Sequence, residues 1–143
     1  MLELSPYISA IIIAWVAAQG SKVIIHVMKT RTSSSFRHLY LSGNMPSSHS
    51  AASVALATVI GLNDGTESGL FGLATLFAAI VMYDAVMVRR SSGEQGIAIS
   101  ALITERKSKI VLPRAAKGHE PLEVIVGALL GLVIGVVVFF IIR

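Results

Sequence analysis

Four apolar stretches, separated by polar or turn-forming segments, set the pattern of the chain. The first runs from about Pro6 to Met28, roughly 30 Å as a helix and long enough to cross a bilayer. Glu3 precedes it and no basic residue does, so it lacks the charged leader of a signal peptide and reads as a retained helix. Its second half carries Gln19, Lys22, His26 and Lys29 at spacings of three and four, which puts one polar stripe on one helix face. A basic, Ser- and Thr-rich loop from Lys29 to Asn44 follows. The second helix is expected to begin near Pro46 and to continue through Ser47, Ser48, His49, Ala52, Ser53 and Ala57 to about Leu62. Proline suits a first turn, and the small residues suit close packing between helices in a membrane. The stretch is short for a full crossing, so its polar start is expected below the headgroups in protein-lined space.

Asn63-Asp64-Gly65 supplies turn chemistry before a third helix, from about Gly69 to Val88, which is apolar until Asp84 and is followed by Arg89 and Arg90. The region from Ser91 to Lys117 is basic and mixed. Within it Ile97 to Ile103 is apolar but too short to span, which predicts an interfacial or re-entrant helix. The last helix runs from about Pro121 to Ile142 and carries Gly127, Gly131 and Gly135 at successive fourth positions, a face for close packing. The expected fold is an all-α integral membrane bundle of about four transmembrane helices plus that short helix, one domain over residues 1–143.

Composition agrees. Apolar residues make up 54% of the 143 residues and charged ones 14%, with a mean hydropathy of +0.75; soluble domains carry about a quarter charged residues, and disordered chains are polar and charge-dense. The absence of cysteine excludes disulfides, zinc-thiolate sites and a cysteine nucleophile. The net charge of +4 does not point to nucleic acid, because the basic residues sit in two loops without interleaved aromatics. Membrane lipids and phosphorylated substrates are the expected acidic partners. The loops at 29–38 and 89–117 are basic, while 63–68 holds only Asp64 and Glu67. Basic loops favour the cytoplasm, which predicts a multi-pass cell-membrane protein with both termini outside and the basic end inside.

Folded up and down, the four spans bring their polar residues to one end. Lys22 and His26 close the first helix, Pro46 to His49 open the second, Asp84 to Arg90 close the third, and His119 to Glu123 open the fourth. Ionisable residues at membrane depth are costly and usually mark function. Ser47 and Ser48, with the free N–H groups of a first helical turn, form an anion site to which Lys22, Arg89 and Arg90 add positive charge. Glu123 follows His119 by four residues, so its carboxylate can hold one imidazole nitrogen and leave the other as a nucleophile. His49 supplies a second group that changes protonation near neutral pH. Such a set suits phosphoryl transfer.

These residues carry a resemblance. Gly43-Asn44-Met45-Pro46-Ser47-Ser48-His49-Ser50, then Tyr83-Asp84-Ala85 with Val88-Arg89-Arg90 and Gly93-Glu94-Gln95, then Gly118-His119-Glu120-Pro121-Leu122-Glu123-Val124 with Gly127 and Gly131, resemble the divergent PAP2 family (DUF212). Ala18-Gln19 with Lys22 also fits, so the likeness covers nearly the whole chain. The wider PAP2 superfamily holds lipid phosphatases, acid phosphatases and vanadium haloperoxidases with motifs of the form K-x6-R-P, P-S-G-H and S-R-x5-H-x3-D. The resemblance implies His119 as a nucleophile forming a phosphohistidine, Glu123 in place of the orienting Asp, and His49 as general acid. Lys22, Ser47 and Ser48 would bind phosphate oxygens, with no metal or other cofactor. The chain departs from the superfamily pattern where Lys29 replaces Arg-Pro, where Ser48 replaces a glycine, and where Arg114 follows Pro113 one position nearer to its histidine. Arg89 is the preferred substitute, held by Asp84 and the helix end, with Arg90 beside it.

The expected function is a membrane-embedded phosphatase acting on a lipid phosphate or diphosphate. The alternatives are a non-catalytic protein that binds or transports an anion or lipid headgroup, and a structural membrane subunit. Four spans make a thin wall around a polar site, which favours a homodimer.

Overall fold

The computed structural model describes residues 5–30, 45–113 and 118–142; the basic loop with Arg31, the Gly43-Asn44 start of the second motif, Arg114 and the Lys29 side chain lie outside them. The described residues form α1 (Pro6–Thr30), α2 (Ser48–Asn63), α3 (Gly69–Tyr83), a π turn (Asp84–Val88), α4 (Arg89–Glu105) and α5 (Pro121–Ile141), with no strand among them. Three helical runs, Pro6–Met28, Gly69–Glu105 and Pro121–Ile141, are long and apolar enough to cross a membrane. The short α2 is the hub: it packs against α1, α3 and α5.

Small side chains make that packing close. On α1, Ala10, Ala14 and Ala18 recur every fourth residue, and all are fully buried. They meet Ala51, Ala55 and Val59 of α2 and Val138 of α5 in one cluster. The α5 glycines face the α2 backbone: a Cβ on Gly127 would collide with the Ser47 carbonyl, one on Gly131 with the Ala51 carbonyl, and one on Gly135 with Thr58 and the Ala55 carbonyl. Three absent methyl groups thus let two helices touch backbone to backbone. The bilayer-facing sides are large and apolar, as at Ile24, Leu73, Phe77, Leu129 and Val133.

Caps fix the helix ends. Ser47 caps α2 and Ser68 caps α3, each accepting a backbone N–H of the first turn. At the end of the bundle away from the polar residues, Tyr7 donates a 2.8 Å hydrogen bond to Asp64 and ties the start of α1 to the α2–α3 turn.

One element differs from the sequence reading. The 97–103 segment is not a separate short helix; it continues the third helix, which runs unbroken through the π turn to Glu105. No proline interrupts residues 84–105, so the polar stretch after Arg90 stays helical. The apolar positions Ile97, Ile99 and Leu102 lie exposed on that continuation.

Candidate active site

Each helix brings a different end to one place. The N-terminal segment of α5 is locked to two neighbours by main-chain bonds. Ser47 N–H donates to the Glu123 carbonyl at 3.0 Å, and His119 N–H donates to the Ala85 carbonyl at 3.0 Å. Gly118 lies so close to the Arg90 backbone that a Cβ there would clash. The start of α2, the end of α3 and the segment before α5 therefore form one rigid corner.

The π turn makes the second bond available. Arg89 N–H reaches five residues back to the Asp84 carbonyl, where an α-helix would have it reach four back to Ala85. The Ala85 carbonyl takes His119 N–H instead. The same wide turn aligns Asp84 with Arg89, whose Nε donates to Asp84 Oδ2 at 2.7 Å. Residues five apart on a regular α-helix point away from each other. The π turn and the role of Ala85 were not expected from the sequence; the available signal was the five-residue spacing of two opposite charges.

His119 is 6% exposed, and its Nδ1 lies 2.8 Å from Glu123 Oε2. With the proton on Nδ1, the imidazole donates to the carboxylate and presents Nε2 as a lone pair. The contact does not arise from helical i,i+4 spacing. His119 stands before the cap residue Glu120, outside the helix, and Glu123 occupies the third helical position, from which its Oε2 also accepts Glu120 N–H at 3.2 Å. Two donors thus hold one carboxylate oxygen, and the histidine ring is fixed through it.

Lys22 is 8% exposed despite its charge and lies within electrostatic range of Glu123. His49, on the exposed side of the first turn of α2, lies within range of Arg89, Lys22, His119 and Asp84. The candidate residues His119, Glu123, His49, Lys22, Arg89 and Asp84 are therefore brought together from four helical runs. Ser47 and Ser48 are buried beside them. The Ser47 hydroxyl is already engaged: its Oγ accepts from the Ser50 hydroxyl at 2.9 Å and from Ser50 N–H at 3.4 Å. Arg90 is placed differently, its side chain largely exposed and paired with Glu94 at 3.1 Å. Among the described residues no cluster of three or more His, Cys, Asp or Glu has the arrangement of a metal site.

The corner offers a buried, oriented imidazole, a second, exposed imidazole, and the cations Lys22 and Arg89 within electrostatic range of it at the first turn of α2. Such a set has the chemistry to hold an anion and to offer a nucleophile and a proton donor.

Comparison with known proteins agrees with the motif reading. The sequence model of the divergent PAP2 family (DUF212) matches residues 5–134. An uncharacterized membrane protein, YuiD, of Bacillus subtilis (strain 168) is 38% identical over 114 residues, covering 69% of this chain and 72% of that protein. No solved structure gives a significant match. The matched span takes in α1, the Pro46–His49 start of α2, the π turn and His119 with Glu123, and the chain belongs to the divergent PAP2 family.

Proposed function

We propose that this protein is a multi-pass membrane phosphatase that hydrolyses a lipid phosphate or diphosphate through a phosphohistidine. The observation that carries the reading is the 2.8 Å contact of His119 Nδ1 with Glu123, made by a buried histidine beside two cations and a second histidine. His119 Nε2 attacks phosphorus; the bond from phosphorus to the alcohol oxygen breaks, and His49, protonated, gives its proton to that oxygen. Water then attacks the phosphohistidine, the P–N bond breaks, and the neutral His49 takes the proton of the water. Lys22, Arg89, the Ser48 hydroxyl and the first-turn N–H groups of α2 hold the phosphoryl oxygens and balance the charge that gathers on them. Arg90 adds positive potential from the rim. Asp84 holds Arg89 in place.

The location favours a lipid substrate. Lys22 and His119 are buried at the end of a helix bundle whose outer faces are apolar, so a phosphate at headgroup level reaches them with its chain still in the bilayer. The loop charges support a site on the cytoplasmic side with both termini outside. A reporter fused after Arg143 tests the side: activity in the cytoplasm would overturn it.

Purified protein in detergent micelles is expected to release phosphate from at least one of phosphatidate, phosphatidylglycerophosphate and polyprenyl diphosphate. His119→Ala and His49→Ala are expected to abolish the release, and full activity in both variants would refute the mechanism. One observation favours a second reading, binding or transport of an anion without hydrolysis: the Ser47 hydroxyl is committed to capping α2. Under that reading vanadate, a mimic of the phosphoryl-transfer transition state, protects the protein from thermal unfolding while no lipid phosphate is turned over.

A further inference from the structure

One helical turn from Lys22, α1 holds a half-buried amide whose oxygen the mechanism above does not use. Gln19 Oε1 is shut off from solvent and accepts no hydrogen bond from the described residues. The serine hydroxyls of α1 and of the facing part of α2 are committed elsewhere: Ser21 donates to the Ala17 carbonyl at 2.7 Å, Ser50 to Ser47 Oγ at 2.9 Å and Ser53 to the Ser50 carbonyl at 3.2 Å. Buried polar atoms in folded proteins are rarely left without a partner, and one at membrane depth has no bulk water to turn to. The missing partner is a donor, since an amide oxygen only accepts.

Its place says which donor. Gln19 and Lys22 share one stripe of α1, one turn apart, with Gln19 about 4.5 Å further from the corner along the helix axis. A phosphate held at Lys22 therefore has its ester oxygen and the first carbons of its alcohol passing Gln19 on the way into the bilayer. The P–O–C–C–O path from phosphorus to a hydroxyl on the second carbon covers a comparable distance. Acyl and prenyl chains offer no donor there.

We propose that Gln19 is a specificity-determining residue whose amide oxygen accepts a hydrogen bond from a hydroxyl on the carbon next to the phosphoester carbon, so that the preferred substrate is a glycerol-type lipid phosphate with that hydroxyl free. The inference rests on the phosphatase reading and on Lys22 holding the phosphate. It separates 1-acyl lysophosphatidate and phosphatidylglycerophosphate, which carry the hydroxyl, from diacyl phosphatidate and polyprenyl phosphates, which do not. A site that hydrogen-bonds a substrate hydroxyl rejects the analogue without it far more strongly than an apolar pocket rejects a change of size.

The test uses the full chain in detergent micelles and compares phosphate release from 1-acyl lysophosphatidate and from its 2-deoxy analogue. The expected wild-type ratio of kcat/KM is on the order of a hundredfold or more in favour of the hydroxylated lipid. Gln19→Leu is expected to bring that ratio to within a few-fold, by loss on the hydroxylated lipid; Gln19→Met is a second variant of similar shape. Equal wild-type values on the two lipids overturn the proposal while the phosphatase reading stands, and that comparison needs no variant. A ratio that survives both substitutions also overturns it. Absence of release from these lipids and from phosphatidate and polyprenyl diphosphate removes the phosphatase reading, and this inference with it.

Discussion

Replacing Gly131 by alanine adds one methyl group to the seam between α2 and α5, and its effect follows from where that methyl must go. The Cβ would collide with the Ala51 carbonyl oxygen and would lie 2.9 Å from the Ala51 carbonyl carbon and 3.0 Å from its Cα. Carbon atoms pack best at roughly 3.5–4.0 Å, so the two helices must separate by about 1 Å at this level. The obstacle is helix backbone, which cannot swing aside as a side-chain tip can. Overpacking costs about 1–3 kcal/mol, and the rigid neighbour puts this site at the upper end. Alanine regains about 1 kcal/mol over glycine in helix propensity, which leaves a net destabilisation of about 1–2 kcal/mol. Gly20 is the matched control, since a Cβ there meets nothing within 4 Å. Gly20→Ala keeps the propensity gain without the clash and should stabilise by up to about 1 kcal/mol. Reversible unfolding in mixed micelles of rising SDS content, followed through the single tryptophan, Trp15, measures both. The opposite signs are the point of the experiment. If Gly131→Ala proves as stable as Gly20→Ala, the backbone contact between α2 and α5 is refuted, and with it the account of how Ser47 is held against α5.

Three further outcomes are expected. Ser68→Ala removes the N-cap of α3 at the end remote from the corner, so it should cost about 1 kcal/mol in the same titration and leave vanadate protection as it is in the wild type. Glu123→Gln keeps an amide oxygen near Glu120 N–H but removes the charge that fixes the His119 tautomer; turnover measured by phosphate release should fall on the order of 10³-fold or more, and a loss under tenfold would show that Glu123 does not orient the nucleophile. Arg89→Ala should weaken vanadate protection more than Arg90→Ala, because Arg89 is held in the corner by Asp84 whereas Arg90 points outward to Glu94; the reverse order would reassign the phosphate-binding arginine.

Much of the bundle was legible because a membrane simplifies the code. In the bilayer a helix satisfies its own backbone, so length and hydropathy alone mark α1, the third helix and α5. The i+4 glycines of α5 name its packing face without reference to any partner. What stayed hidden depends on contacts between distant segments. A π turn needs a place for the carbonyl it releases, and at Ala85 that place is His119 N–H, which belongs to a segment far along the chain. Local pattern has no access to such a bond. The continuation of the third helix to Glu105 was hidden for a related reason: hydropathy falls after Asp84, and the fall reads as an end although the polar residues after Arg90 keep the helix going.

The site shows the same division, with a further twist. His119 and Glu123 are four apart, and the contact expected on that spacing is present, yet the helix begins only at Pro121. What joins them is the reach of a third-position carboxylate back over the helix start, where it meets both Glu120 N–H and the imidazole. Helix register would leave the ring free to follow its own backbone dihedrals; the capping geometry instead ties the ring to the first turn of α5, and His119 N–H ties the same residue to the π turn of the third helix. Its side chain and its main chain are thus fixed by two different helices. A nucleophile must approach phosphorus along one line, and positioning errors of even 1 Å are costly in rate. Under the proposed mechanism the double attachment gives His119 a fixed line of approach, which a bundle of apolar spans alone would not supply.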